Sequence, residues 1–197
     1  MKRLSLRAKK SSDDQNTWQK DMEYTSGMQK RGRSMLKTAS SICSWKSVID
    51  IGCGNQQLKE VVESINPGAK YTGIDRLSHR RDTLIADFNQ GEYPKVKADL
   101  AVVSGVLEYI QPEMVDRFLN NVCNTAPCVV ISYFPTDYDT VYINKTTNPP
   151  KTRSELWVNQ FKLTELIALF SKRDFQVEVV KRYRTSTQFI LVFTKHA

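Results

Sequence analysis

From residue 48 onward the chain alternates short β-branched apolar runs with segments whose apolar residues recur at helical spacing. Val48 to Ile51 reads as a short buried strand. Leu58, Val61, Val62 and Ile65 then mark one face of a helix that Asn66-Pro67-Gly68 ends. Lys70 to Ile74 predicts a second strand ending at Asp75, Thr83 to Ala86 a third ending at Asp87, and Leu100 to Val103 the start of a fourth. Val115, Phe118, Leu119 and Val122 form the face of another helix, Cys128 to Phe134 a fifth strand, and Leu163 to Lys172 a further amphipathic helix. Strands alternating with helices build a parallel sheet covered on both faces.

The end of the chain breaks this rhythm. Val177 to Tyr183 and Gln188 to Thr194 are strand patterns separated only by Arg184 to Thr187, a gap that joins antiparallel neighbours but is too short for a parallel crossover. The expected fold is α/β: a doubly wound, mainly parallel sheet with an antiparallel C-terminal hairpin. Residues 76–82 and 89–99 leave little room for crossover helices. Residues 135–160, with Asn148-Pro149-Pro150 in the middle, form an irregular segment of a length that in compact domains is either a functional lid or disordered.

The chemistry is concentrated where these strands end. VIDIGCGNQQ closes the first strand with Asp50 and turns on Gly52 and Gly54. Glycines there let a ligand approach the backbone, and the following helix aims its free N–H groups at that ligand. Asp75, placed 21 residues after Gly54, suits the paired hydroxyls of a ribose. Asp87-Phe88 at the third strand end offers an acceptor for an adenine amino group and a ring for its face. Acids at three successive strand ends repel one another and make a poor structural choice without a ligand. A nucleoside ligand is therefore expected. A dinucleotide fingerprint would carry a third glycine where Gln57 stands, and no Gly-Lys-Ser/Thr follows to make a phosphate-binding P-loop.

Charge changes this picture little. The net charge is +8, but residues 1–37 hold ten Lys/Arg against four acids, and the rest is nearly balanced. The basicity belongs to an N-terminal arm, read as a solvated segment and helix over 1–44 ahead of a domain over 45–197. Within it, Gly27 and Gly32 interrupt a helix-like stretch, and Met28, Met35, Leu36, Ala39 and Ile42 make an apolar face of the kind that packs on a core, while the arm and residues 135–160 are expected to supply the acceptor pocket. The four cysteines (Cys43, Cys53, Cys123, Cys128) lack paired CxxC spacing and have only two histidines to help them. No metal site is expected, and reduced thiols in a cytoplasm are the simplest reading. No apolar run approaches the roughly 20 residues of a membrane span.

VIDIGCGNQQL, YTGIDR, IADF and DLAVVSGVLEYI together resemble the successive cofactor motifs of the class I S-adenosylmethionine-dependent methyltransferases, over roughly residues 45 to 197. The resemblance implies a Rossmann-like seven-stranded sheet whose last strand is antiparallel, and S-adenosyl-L-methionine as cofactor. Carried over by position, Asp50, Gly52, Cys53 and Gly54 would lie along the methionine part and ribose, Asp75 on the ribose hydroxyls, and Asp87 and Phe88 on the adenine. Ser104, Gly105 and Val106 would form the wall under the transferring methyl. The departure is Gln56, where many members have a glycine.

A hydroxyl acceptor would also need its proton removed, and Glu108 and Tyr109 stand at the fourth strand's end as the candidate catalytic pair. Tyr133, Tyr138 and Trp157 are the candidate substrate residues, with Tyr142 nearby in sequence, while His79, just beyond Asp75, is placed to approach the adenine edge. The expected function is methyl transfer to a small-molecule or glycan-like acceptor, at oxygen. RNA gripped by the basic arm is the runner-up acceptor, and a non-catalytic subunit that keeps the fold is the third reading. The sequence leaves the oligomeric state open.

Overall fold

The central strands form because their residues are apolar on both faces, as a sheet buried between two helical layers requires. β1 (Ser47–Ile51), β2 (Lys70–Asp75), β3 (Thr83–Ile85), β4 (Leu100–Ser104) and β5 (Cys128–Tyr133) are parallel, and β6 (Phe175–Arg182) and β7 (Phe189–Lys195) form the closing hairpin. The sheet has seven strands in the order β3-β2-β1-β4-β5-β7-β6, with β7 antiparallel to both its neighbours. This computed structural model describes residues 22–77, 80–138, 143–144, 151–152, 157–183 and 187–196. The basic residues ahead of 22, His79, Tyr142 and Asn148-Pro149-Pro150 lie outside the described residues.

The sheet is the expected doubly wound one. Strand order reverses between β1 and β4, so their carboxyl ends flank the crevice where such sheets bind ligands. α1 (Met22–Ser40) and α2 (Gln57–Ile65) cover one face, where Met35, Leu36, Ala39, Leu58, Val61 and Val62 meet Val48, Leu100, Val102 and Val130. On the other face α3 (Val115–Thr125) and α4 (Leu163–Ser171) bring Phe118, Leu119, Val122, Leu166 and Phe170 against Ile49, Val103, Ile131 and Phe193. The crossovers around β3 are short, as expected: residues 76–82 hold no helix among those described, and a 3-10 turn at Phe88–Gln90 opens the next. Asp99 ties the bottom edge, its Oδ2 accepting from the amides of Lys46 and Ser47 at 2.8 and 2.9 Å.

Two features differ from the sequence reading. α1 runs through Gly27 and Gly32 without interruption. Gly32 marks a close helix crossing instead: a Cβ there would stand 2.5 Å from Leu58 Cδ1. As expected of its apolar face, the helix packs into the core, where Met35 and Leu36 are fully buried. Burial of each such side chain stabilises by about 1.5–3 kcal/mol. The expectation of four reduced thiols also fails, because Cys43 and Cys128 form a disulfide while Cys53 and Cys123 are free and buried. The turn after α1 and the start of β5, 85 residues apart, meet only in the fold. Among the described residues no helix is long and apolar enough to cross a membrane.

Two outcomes follow from this packing. Gly32→Val should destabilise the chain by about 1–3 kcal/mol in denaturant titration through overpacking against Leu58, and Leu58→Ala in the same chain should recover part of that loss. Thiol titration of the denatured, unreduced protein should count two free cysteines, rising to four after reduction.

Candidate functional site

The loop after β1 is fixed to β2 by its backbone. The amides of Gly52 and Cys53 both donate to the carbonyl of Ile74, at 2.8 and 3.0 Å, and the Gly54 amide donates to Asp75 Oδ2 at 2.8 Å. Asp75 accepts a further bond from the Leu77 amide at Oδ1, 3.1 Å away. Its carboxylate is held in one orientation at the crevice, with lone pairs left over on each oxygen. The two loop glycines do different work. A Cβ on Gly52 would lie 2.2 Å from Val106 Cγ2, so this glycine lets the β1 and β4 loops touch. A Cβ on Gly54 would meet nothing within 4 Å, so the loop is open at that point. Both have positive φ, +73° and +48°.

Gln56 stands where a further glycine was expected, and the structure accounts for it. Its φ is +57°, the left-handed conformation that glycine adopts freely. Its side-chain amide donates to Asp82 Oδ1 at 3.0 Å and Thr83 Oγ1 at 2.9 Å, which offsets the cost and pins the loop to the start of β3. The Lys59 side chain first and the Gln56 side chain second, both bonded to Asp82, hold its carboxyl below the usual range.

Asp50 is buried on the α1 side of the sheet and accepts a 2.7 Å bond from the Tyr71 hydroxyl. Burial raises its pKa to about 7; the Tyr71 bond opposes this, nearby Asp75 adds to it, and Arg31 opposes it. Cys53 is buried beside it, and burial with the two carboxylates pushes its thiol well up, so it is no nucleophile at neutral pH.

Sequence reasoning missed Arg31. The spacing 31, 35, 39 puts it on the same α1 face as buried Met35 and Ala39, an anomalous place for a cation. Lower down, that face meets the apolar part of the sheet; Arg31 meets its polar upper end. Its Nη2 lies 3.7 Å from where a Cβ on Gly105 would stand, and its Nε is buried without a hydrogen-bond partner. Below run Asp50 and a second unforeseen group, in which Ser104 Oγ lies 3.3 Å from Ser132 Oγ and Gln188 Nε2 donates to Ser132 Oγ at 3.2 Å.

Other expected positions are rearranged. Asp87 faces its own turn, its Oδ1 accepting from the Asn89 amide at 3.0 Å. Phe88, read as a ring for an adenine face, turns inward and packs against Phe118 and Tyr93, with centroids 5.2 and 5.7 Å away. Glu108 is only 1% exposed, whereas Tyr109 is 43% exposed. Tyr133 is fully buried: its hydroxyl accepts from the Phe161 amide at 2.9 Å and donates to the Asn159 carbonyl at 3.3 Å. It therefore fastens residues 159–161 to the end of β5. Tyr138 packs against Phe189 and Trp157 against Phe134, both tilted, at 4.7 and 5.3 Å between centroids. No group of three or more His, Cys, Asp or Glu among the described residues could hold a metal ion.

Comparison with known proteins bears on the fold. Neither the protein-family models nor the curated proteins provide a match. Among solved structures, the Burkholderia thailandensis 1,6-didemethyltoxoflavin-N1-methyltransferase, with that substrate and S-adenosylhomocysteine bound, is 13% identical at a TM-score of 0.64, over 100% of this chain and 93% of its own. The chain has the class I methyltransferase fold. CalO1, a methyltransferase of calicheamicin biosynthesis in its S-adenosylhomocysteine-bound form, is 20% identical at a TM-score of 0.62, over 98% of this chain and 61% of that one. The pyocyanin biosynthetic protein PhzM is 19% identical at 0.55, over 76% of this chain. This chain spans 50% of the PhzM chain.

The Asp50 geometry has a pH signature. Its folded pKa is raised above the ordinary 3.8, so its contribution to stability is complete below about pH 4 and is lost as pH rises towards about 7. The lowered carboxyls of Asp82, Asp99 and Glu178 act in the opposite sense and at lower pH, where they are protonated. Asp50→Asn keeps an acceptor for Tyr71. Thermal melts from pH 4.5 to 7.5 should show the variant gaining on the unliganded wild type as pH rises.

Proposed function

We propose that this chain transfers the methyl group of S-adenosylmethionine to a small-molecule acceptor. The observation that carries the reading is the open loop at Gly54, bonded to an Asp75 carboxylate held at the crevice. Asp75 would take the ribose hydroxyls, since each of its oxygens keeps acceptor capacity beside the loop. Arg31 would take the carboxylate at the amino-acid end, which gives its buried, unpartnered Nε a reason to be there. Asp50, with Arg31 above it, sets the charge around that end. The adenine would lie near Asp87 and the backbone of the turn that follows it, the Phe88 ring being engaged in the core.

The bound cofactor supplies an electrophilic methyl group on a sulfonium sulfur. The residues must then orient the acceptor, exclude water and accommodate its proton. Val106, in contact with the glycine loop at the strand-order reversal, walls that position together with Ser104 and Gly105. Of the titratable pair at the rim, Tyr109 is the one an acceptor reaches, because Glu108 is buried. The structural neighbours with S-adenosylhomocysteine bound support the cofactor, and their printed names, all of small-molecule metabolism, support the acceptor class. RNA remains the runner-up on one observation: Lys30, Arg33 and Lys37 are exposed on the outer face of α1. That face is the ordinary solvated side of a helix, so it ranks second.

Calorimetric titration with S-adenosylhomocysteine and with 5′-methylthioadenosine, which lacks the amino-acid end, tests the assignment residue by residue. Asp75→Ala should weaken both ligands by about tenfold or more, roughly 1.4 kcal/mol. Arg31→Gln should weaken S-adenosylhomocysteine to a similar degree and leave methylthioadenosine unchanged. A folded wild-type chain that binds neither ligand overturns the reading.

A further inference from the structure

The acceptor side of the crevice is built differently from the cofactor side. Residues 157–159 lie along the turn after β4, the amides of Val158 and Asn159 donating to the Glu108 carbonyl at 3.0 and 3.3 Å. Tyr133 holds the same segment to β5. Three large apolar or aromatic side chains nevertheless face outward around this rim: Tyr109 at 43%, Tyr138 at 45% and Val158 at 44% exposed. Rings behind them fix two of the walls, Phe189 under Tyr138 and Phe134 beside Trp157.

Three polar side chains beside this rim, among the described residues, are engaged with backbone instead. Asn89 donates to the Tyr109 carbonyl at 2.9 Å and accepts from the Gln111 amide at 2.8 Å. Asn159 donates to the carbonyls of Leu107 and Ile110. Asp137 accepts from the Leu163 amide at 3.2 Å, at the start of α4. A sugar needs directed hydrogen-bond partners for each hydroxyl it buries, and an unmatched one costs about 1–3 kcal/mol. Flat rings need aromatic faces and edges, which add about 0.5–1.5 kcal/mol per pair beyond the area buried.

We propose that the acceptor is a flat aromatic molecule carrying a ring hydroxyl, seated against the rim of Tyr109, Tyr138, Trp157 and Val158. This rests on the methyl-transfer reading and narrows it, setting the glycan-like acceptor aside. Proton chemistry agrees. A phenol, at a pKa of about 10 like tyrosine, gives up its proton far more readily than a sugar hydroxyl. With Glu108 buried, such an acceptor makes the smaller demand on a base. In the step, the ring oxygen bonds to the methyl carbon, the carbon–sulfur bond breaks with its electron pair left on sulfur, and the hydroxyl proton passes to solvent.

The test is calorimetry on the full chain saturated with S-adenosylhomocysteine, using 2-naphthol and 8-hydroxyquinoline as ring probes and methyl glucoside as the sugar. Saturable binding of a ring probe is expected, without binding of the glucoside. Tyr138→Ala and Val158→Asp should each weaken the ring probe by about tenfold while the affinity for S-adenosylhomocysteine, which reports an intact fold, stays as in the wild type. The proposal is overturned if S-adenosylhomocysteine binds but neither ring probe does, if the glucoside binds in their place, or if both folded variants bind the rings as the wild type does. Failure of S-adenosylhomocysteine itself to bind strikes the methyl-transfer reading instead, and ring binding to the unliganded chain then decides whether the rim is an aromatic site.

Discussion

The contact between the β1 and β4 loops is the constraint on which the crevice depends. Gly52 and Val106 come together where strand order reverses, and no side chain fits at residue 52 without moving Val106. The amides of Gly52 and Cys53 share the Ile74 carbonyl, which carries the same constraint across to β2. From there Asp75 is oriented by Gly54, and Gln56 reaches on to Asp82 and Thr83 at β3. One tight meeting of backbones thus sets the position of four neighbouring strand ends. Rigid placement of this kind lets polar groups bind without reorganising.

The two faces of the sheet make unequal contributions at the crevice. The face under α3 and α4 is apolar up to its rim, with Phe88, Phe118 and Phe189 in its core. The face under α1 and α2 becomes polar at its upper end, through Asp50, Ser104, Ser132 and Gln188. Arg31 lies over that end, and its interaction with Asp50 opposes the effect of burial on the carboxyl. A chain that keeps a carboxyl and a guanidinium under one helix gives up stability, because buried charge is costly unless it is paired. On the proposed function, a zwitterionic ligand end would complete this set of charges.

The fold was legible because its signals are local and repeated. Apolar runs of four to six residues, helical spacing in Val115, Phe118, Leu119 and Val122, and the short gap before β7 are each properties of neighbouring residues, and the sheet order follows from general rules of chain connection. The glycine loop and Asp75 were legible for the same reason. What escaped depends on distant residues meeting. The Cys43–Cys128 pairing has no spacing rule, and Phe88 faces inward because Phe118 and Tyr93 wait there. Gln56 could be seen as a departure, but its compensation comes from Asp82 and Thr83, 26 and 27 residues on. Arg31 did leave a local trace, a cation in phase with Met35 and Ala39. It was passed over because that face of the helix was read for its apolar residues alone, as core packing.

That misreading shows where chemistry hides in such folds. A residue conspicuous at a strand end is exposed to the crevice by topology alone, so its chemistry can be guessed from its position. A residue on a covering helix reaches the crevice only if the helix is long enough and crosses closely enough. Here the close crossing comes at Gly32, whose missing Cβ lets α1 lie against Leu58 of α2. A larger side chain at residue 32 must displace Leu58 Cδ1 or shift the crossing of α1 on α2, and a shifted crossing carries the neighbouring Arg31 with it. Packing between two helices and the electrostatics of the crevice are, in this chain, the same variable.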